Sequence, residues 1–368
     1  MEELDEMRKT RVLHLELDEQ LGGIESFLYN LYTEIDRDRI QFDFITRSEN
    51  PAKGNELREL GANIYRLPSY NRPLRYMKEL DRVISKGHYD VVHIHKNSAA
   101  VIFPFYVTRK HKDIRVFVHS HNTQPSIRGI TSVLHEINKT FLYKNSDEHF
   151  ACSKIAGEWL YGGRDSFSVL RNGIITSKYK FDEEKRKRKR QELSISDDAF
   201  VIGNVGRFTE QKNQKRLVEL FEEFHKHIAN SYLLLVGDGN LRNKIELYID
   251  TNKIENVKFL GIRDDIPDLM MAMDAFVMPS LYEGLPIVGV EAQAAGLDLY
   301  LSDTISRETG LLNSVKWFDL NETNQEIVKR IQIHKVSADE RMQRNNEIKI
   351  QGYDINQTAQ ILLKKYEE

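Results

Sequence analysis

The chain has 368 residues, 40% of them hydrophobic and 30% charged, with a formal net charge of -3. That length is generous for one core and suits two domains, and the near balance of charge gives no basis for binding duplex nucleic acid. The single cysteine, Cys152 in HFACS, excludes a disulfide framework, favours a reducing compartment and reads as a core residue rather than a reactive thiol.

The opening MEELDEMRKTRVLHLEL is too charged for a secretion signal, and the longest apolar stretch, AAVIFPFYV, falls short of the ~20 residues a spanning helix needs. A cytoplasmic protein is expected. Strand-type runs follow at 12–17, 42–46, 63–68, 91–95, 115–120, 148–153 and 168–173. After the first, DEQLGGIESFLYNLY places a Gly22-Gly23 turn at a helix start, where backbone can approach an anion without an intervening Cβ; alone, such a pair is a weak signal and usually only a turn. NRPLRYMKEL, with Arg72, Arg75 and Lys78 among Leu74, Tyr76 and Met77, and TRKHKD, with Arg109, Lys110 and Lys112, read either as a basic surface for anionic lipid or as a solvated helix and loop. VFVHSHN puts His119 and His121 on one side of a strand. Two histidines without a third ligand make a poor metal site, and His121, at the strand end, is the better placed to face a cleft.

The join between domains is expected near 172–182, after Asn172-Gly173. The basic run Lys185 to Arg190 invites a nucleic-acid or lipid reading, but Asp182, Glu183, Glu184 and Glu192 flank it in an order that suits an exposed helix. Further strand-type runs lie at 200–206, 232–237, 257–261, 275–280, 299–302 and 315–319. Leu217, Leu220, Phe221, Phe224 and Ile228 form one helical stripe between two of them. GRFTEQKNQ carries Arg207 and Lys212 past the carboxyl end of a strand; they are surface charges or a pair able to neutralise a diphosphate.

The most informative stretch is YEGLPIVGVEAQ, directly after AFVMPS. It reads as a strand, a Gly-Leu-Pro turn and a helix, with Glu283 in the loop and Glu291 about two turns in, ~10 Å further along the axis. Two acids so spaced can grip separated hydroxyls of one long ligand, and the unpaired amides between them suit a phosphate. A nucleotide-sugar fits that layout. The chain closes on YDINQTAQILLKKYEE, one more helix at about 355–368.

Strand and helix alternating twice over predict two doubly wound parallel sheets, residues 1–172 and 173–354, with the last helix returning to the first domain. Ligands in such sheets sit beyond the carboxyl ends of the strands, so a cleft between the domains is expected.

LGGIE, HSHNT, ACS, VLRNGI, GNVGRFTEQKN, LLLVGDG, VKFLG and PSLYEGLPIVGVEAQAAG occur in this order almost end to end. In these motifs the chain resembles family-four retaining glycosyltransferases of the GT-B fold, most of all the bacterial branch that builds capsular, exopolysaccharide or O-antigen chains. The resemblance implies two Rossmann-like domains and transfer of a hexosyl or N-acetylhexosaminyl group from a nucleoside-diphosphate sugar, most simply UDP-linked, to an acceptor hydroxyl with retention. It implies that Glu291 holds the ribose hydroxyls and Glu283 a donor-sugar hydroxyl. Arg207, Lys212 and the Gly22-Gly23 turn, through Gly23, would meet the diphosphate, and backbone near Arg263 the nucleobase. The segment Gly284, Leu285, Pro286 and Ile287 would add sugar and phosphate contacts, with Pro286, lacking an N–H, shaping the turn. His121 would contact the donor sugar near the reacting centre. No cofactor or metal is implied, since the family lacks an Asp-x-Asp site and Asp197-Asp198 and Asp264-Asp265 fall away from the EGLP loop. The acceptor would be a glycan or lipid-linked glycan at the inner face of a membrane, with peripheral attachment and no nucleic acid partner.

Two departures bear on donor identity: Gly296-Leu297-Asp298 stands where relatives have Gly-x-Pro, and SDTISRETGLLNSV is more polar than the usual Gly-rich loop. Other classes remain in view. A non-catalytic partner that stabilises another transferase would have no reason to keep Arg207, Lys212, Glu283 and Glu291 together. A nucleotide-sugar epimerase or NAD-dependent dehydrogenase would need the GxGxxG fingerprint, which the first βα turn lacks.

Overall fold

The computed structural model describes residues 8–20, 22–122, 129–164 and 166–368. Most of the charged leader, Leu21 of LGGIE and Thr123 of HSHNT lie outside these residues. The chain forms two compact units, residues 1–173 with 355–368, and residues 174–354.

The first unit is built on seven strands: β1 Thr10–Leu17, β2 Ile40–Thr46, β3 Asn63–Arg66, β4 Val91–Lys96, β5 Arg115–Ser120, β6 Glu148–Ala151 and β7 Ser168–Val169. Their order is β3-β2-β1-β4-β5-β6-β7, with parallel pairing throughout. A parallel sheet covered on both faces needs strands without a solvent side, and β4 is buried along its whole length. One face carries Leu13, Leu15, Val92, Ile94, Val116 and Val118, a core that Cys152 joins. The other carries buried His14, His93, His95 and His119. Helix Gly23–Glu34 covers that second face, with Phe27 edge-on to His119 at 5.2 Å between ring centroids. The C-terminal helix Ile355–Glu367 covers it too: Tyr366 Oη is 2.7 Å from His93 Nδ1, and Arg115 donates to the Tyr366 carbonyl at 2.6 Å.

The second unit has six parallel strands, β8 Phe200–Val205, β9 Ser231–Val236, β10 Val257–Gly261, β11 Ala275–Met278, β12 Asp298–Ser302 and β13 Val315–Phe318, in the order β10-β9-β8-β11-β12-β13. In both sheets the order reverses beside the earliest strand, giving switch points between β1 and β4 and between β8 and β11. In sheets of this kind the loops that leave the carboxyl ends at a switch point are where ligands bind.

The basic run departs from its expected solvated face. Helix Glu183–Glu192 turns Arg186 and Arg190, one helical turn apart, into the interior, where they bind the two oxygens of Asp274 at 2.6 and 2.7 Å. Arg190 also donates to the carbonyls of Ala272, Ser196 and Ala199. Arg341, equally buried, donates to the carbonyls of Ala295 and Met270. The cations are held by the negative end of helix Ile266–Ala272 and one aspartate, so two of the six residues in this run are structural.

Candidate functional site

At the carboxyl end of β8 the chain passes through Gly206, Arg207 and Phe208 before helix Gln214–His227. The neighbouring Gly237-Asp238-Gly239 turn presses directly on it. Phe208 N–H donates to the Asp238 carbonyl at 3.0 Å and Gly206 N–H to that of Val236 at 2.9 Å. A Cβ on Gly237, whose φ is 124°, would lie 2.2 Å from the Gly206 carbonyl oxygen, and one on Gly239 2.4 Å from that of Phe208. Only glycine permits this approach. Both glycines lie in the LLLVGDG motif, but the sequence reading gave them no role of their own. Arg207 is exposed on the resulting turn. Lys212 lays its methylene stem 3.5 Å from where a Gly206 Cβ would be.

Lys212 reaches across to the loop after β11. Its Nζ is 2.5 Å from Glu283 Oε1, in ionic contact without hydrogen-bond alignment. Glu283 is held by a bridge to Ile305, and its carbonyl accepts from Ser306 N–H at 3.1 Å. Ser302 and Thr304 both donate to the Ser280 carbonyl, at 2.6 and 2.7 Å. The polar SDTIS stretch therefore braces the EGLP loop. Gly296-Leu297-Asp298 does not border it: Asp298 opens β12 at the amino edge of the sheet and pairs with Arg344 at 2.9 Å, while Gly296, at φ 76°, lies against Arg341.

Helix Ile287–Ala294 starts after Pro286, which is buried; Gly284, Leu285 and Ile287 are half-buried beside it. Glu291 thus lies one turn into the helix, ~6 Å along its axis, and not two turns as the sequence suggested, because the Gly-Leu-Pro segment stays in the loop. The helix is clamped by Gln293, fully buried, which donates to the Thr309 carbonyl at 2.8 Å and accepts from Leu311 and Leu312 amides at 2.9 and 3.0 Å. Burial pushes the Glu291 carboxyl up, partly offset by a hydrogen bond from the Tyr179 hydroxyl. Tyr179, on the short 3-10 turn Thr176–Tyr179, was missed in the sequence because only folding brings it to residue 291. The Arg263 side chain is committed to Asp265 at 2.6 Å and Glu192 at 3.0 Å.

In the first unit Gly22 caps helix Gly23–Glu34, and its N–H donates to Glu25 Oε2 at 3.1 Å. That amide serves the helix start, so of the two glycines it is Gly23, as expected, whose N–H is left to be considered for an anion. Gly23 leaves open space over its Cα, the nearest atom to a built Cβ being Asn172 Nδ2 at 3.8 Å.

His121, half-buried just past β5, ends a line of hydrogen-bonded rings. His14 Nδ1 meets His95 Nε2 at 3.0 Å, His95 Nδ1 meets His121 Nε2 at 2.8 Å, and His121 Nδ1 meets Asn172 Oδ1 at 3.2 Å. With the amide oxygen as acceptor, each ring carries its proton on Nδ1 and donates toward Asn172. Burial drives His14 and His121 down to about 3, so the rings are neutral. The nitrogens of His95, His119 and His121 lie within 4.8 Å of one another, but His95 uses both of its own on its neighbours, which favours a hydrogen-bonded stack over a metal cage. Both nitrogens of His121 are engaged as well.

In the two basic segments Arg72, Arg75, Lys78, Lys110 and Lys112 are exposed. Tyr76 is buried and Arg109 is tied bidentately to Asp147 at 2.9 and 3.1 Å, so of the apolar residues in NRPLRYMKEL Leu74 stands fully out. Helix Ile130–Lys144 instead exposes Ile130, Val133, Leu134 and Ile137 along one stripe. Among the described residues no helix is long and apolar enough to cross a membrane.

A family model described as glycosyltransferase family 4 matches residues 21–178, and one described as glycosyl transferases group 1 matches residues 185–332. The chain is 32% identical over 309 residues to EpsF of Bacillus subtilis, named as a glycosyltransferase, covering 81% of this chain and 80% of EpsF. It is 25% identical over 310 residues to the Escherichia coli UDP-Gal:alpha-D-GlcNAc-diphosphoundecaprenol alpha-1,3-galactosyltransferase, covering 80% of each. In fold it is similar to Anabaena HepE, solved in complex with UDP, at TM-score 0.79 and 19% identity over 97% of this chain and 100% of HepE.

Proposed function

The chain belongs to glycosyltransferase family 4, with the two parallel-sheet units of the GT-B fold, and we propose that it moves a hexosyl or N-acetylhexosaminyl group from a UDP-sugar to an acceptor hydroxyl with retention of configuration. The observation that carries this reading is the meeting of Lys212 and Glu283 at the β8/β11 switch point, with Arg207 exposed on the turn that leaves β8 and Glu291 one turn along the next helix. Glu291, oriented by Tyr179, accepts from the two ribose hydroxyls, and Glu283 from a donor-sugar hydroxyl. Lys212, Arg207 and the first-turn amides of helix Ile287–Ala294 meet the diphosphate as its negative charge grows on departure. These groups supply the charge that a metal would otherwise bring, so transfer is metal-independent.

Retention follows if the departing phosphate takes the acceptor proton on the same face. Glu283, paired to Lys212, is not a nucleophile in this scheme. The acceptor is a lipid-linked glycan in surface polysaccharide assembly, a reading supported by the activity named for the Escherichia coli relative. The exposed apolar stripe of helix Ile130–Lys144 gives a surface for peripheral contact with the membrane that carries it.

A thermal-shift panel of nucleoside-diphosphate sugars tests the reading. A true donor at a hundredfold excess over its Kd adds ~2.7 kcal/mol to the unit that binds it. A panel in which neither UDP nor any UDP-sugar stabilises the protein would sink it.

A further inference from the structure

At the β1/β4 switch point of the first unit the strand pattern is broken at one residue. β1 pairs with β2 through Leu15 and Ile45 and then through Leu17 and Thr46, so Glu16 is an extra, bulged residue, and its φ is 84°. Plain alternation would send its side chain to the face of His14. Lys96 ends β4 on the other face, after Val92 and Ile94. The bulge turns Glu16 onto that face, where its Oε1 lies 3.1 Å from Lys96 Nζ. Bulges re-aim side chains in this way, and a left-handed non-glycine residue persists only when its surroundings impose it.

The pair is scarcely accessible, with Lys96 at 5% and Glu16 at 14% side-chain exposure. Arg47 Nη2 approaches the second Glu16 oxygen at 3.4 Å and stacks on the Tyr70 ring at 4.1 Å, while the Tyr70 hydroxyl donates to Oε1. Burial alone would raise the Glu16 carboxyl, but Lys96, Tyr70 and Arg47 outweigh it and hold it below the ordinary range. A buried ion pair returns little stability over apolar packing, and the strained backbone returns none. Such a cluster at the carboxyl ends of two strands, at a switch point, has the marks of a ligand site. It is continuous with His121, whose N–H donates to the Lys96 carbonyl at 3.0 Å.

We infer that Glu16 and Lys96 form a subsite for the hydroxyl groups of a neutral acceptor sugar, with Arg47 and Tyr70 as positioning residues. The inference rests on the glycosyl-transfer reading and assigns its acceptor side. An ammonium beside a carboxylate offers one donor and one acceptor to neighbouring hydroxyls. A phosphate is disfavoured, because Glu16 is already ionised there and Asp18 and Glu19 follow it.

Saturation-transfer NMR on the full chain with UDP present tests this, using methyl glycosides of glucose, galactose, mannose and N-acetylglucosamine as probes. At least one should bind wild type and bind about ten-fold more weakly to Glu16→Gln, the loss expected for a hydrogen bond to a charged group. The double variant Glu16→Gln/Lys96→Met removes both charges of the buried pair, leaving only Arg47, whose side chain is 36% exposed and stays hydrated, without its carboxylate, and it should lose binding equally. UDP should raise the melting temperature of all three proteins alike. Absence of glycoside binding to wild type, or equal binding to wild type and both variants, overturns the subsite. Failure of UDP to stabilise wild type would count against the transfer reading instead.

Discussion

Lys212 Nζ and Glu283 Oε1 lie 2.5 Å apart, so the two groups assigned to diphosphate and donor sugar neutralise each other before any ligand arrives. A nucleotide that recruits Lys212 must draw it from Glu283. Glu283→Gln should therefore bind UDP about two- to five-fold more tightly, in line with the worth of a partly accessible pair, while turnover falls on the order of 100-fold. Calorimetry with UDP and initial rates with the UDP-sugar read the two effects separately; weaker UDP binding in this variant would contradict the competition.

Tyr179→Phe keeps the ring that packs in the core and removes only the hydroxyl given to Glu291. UDP affinity should drop about three- to ten-fold, the net value of one hydrogen bond. Because that bond lowers the Glu291 pKa, its loss should also move the acid limb of UDP binding to higher pH. A uniform loss of affinity at every pH would mean that the hydroxyl does not act through Glu291.

The stacked histidines His14, His93, His95 and His119, which are buried, and His121, which is half-buried, are held neutral by desolvation, with folded pKa values below their unfolded value near 6.5. The unfolded chain then binds more protons in acid, so stability is intact above pH 6.5 and declines as pH falls toward about 3, where His14 and His121 titrate. Each such ring contributes a slope of up to ~1.4 kcal/mol per pH unit. Melting curves between pH 8 and pH 5 should show a steep fall below pH 6.5, and a flat profile would mean these rings are not neutral and buried in solution.

Helix Ile130–Lys144 should carry lipid contact. Replacing Ile130, Val133 and Ile137 together by Ser should abolish flotation with anionic liposomes without lowering the melting temperature, since all three side chains are exposed. Replacing Arg72, Arg75 and Lys78 by Ser should have the smaller effect. The reverse ranking would return the membrane surface to the basic segment.

The fold was legible because parallel strands covered on both faces read as short apolar runs, and their alternation with helical stripes repeats twice along the chain. Runs such as FVIGNV and YLLLV carry that information locally, as does the EGLP turn, where proline and glycine dictate a loop before a helix. The exact start of that helix was less legible, since Ile287 and the Gly-Leu-Pro segment before it are equally compatible with a first turn, and Glu291 moved a turn closer as a result.

What the sequence determined by itself was the order of strands and helices, and the residue types at the loops, because backbone preference and hydrophobic period act over a few residues. Which charges face one another was decided only by tertiary structure. Arg186 and Arg190 read as solvent-facing until Asp274 and the carbonyl end of a distant helix met them. Tyr179 reaches Glu291, Lys96 reaches Glu16 and Asn172 reaches His121 across separations that no local pattern encodes. The pairing of a buried polar group depends on which strand lies next to which, and sheet order is a property of the whole packed domain.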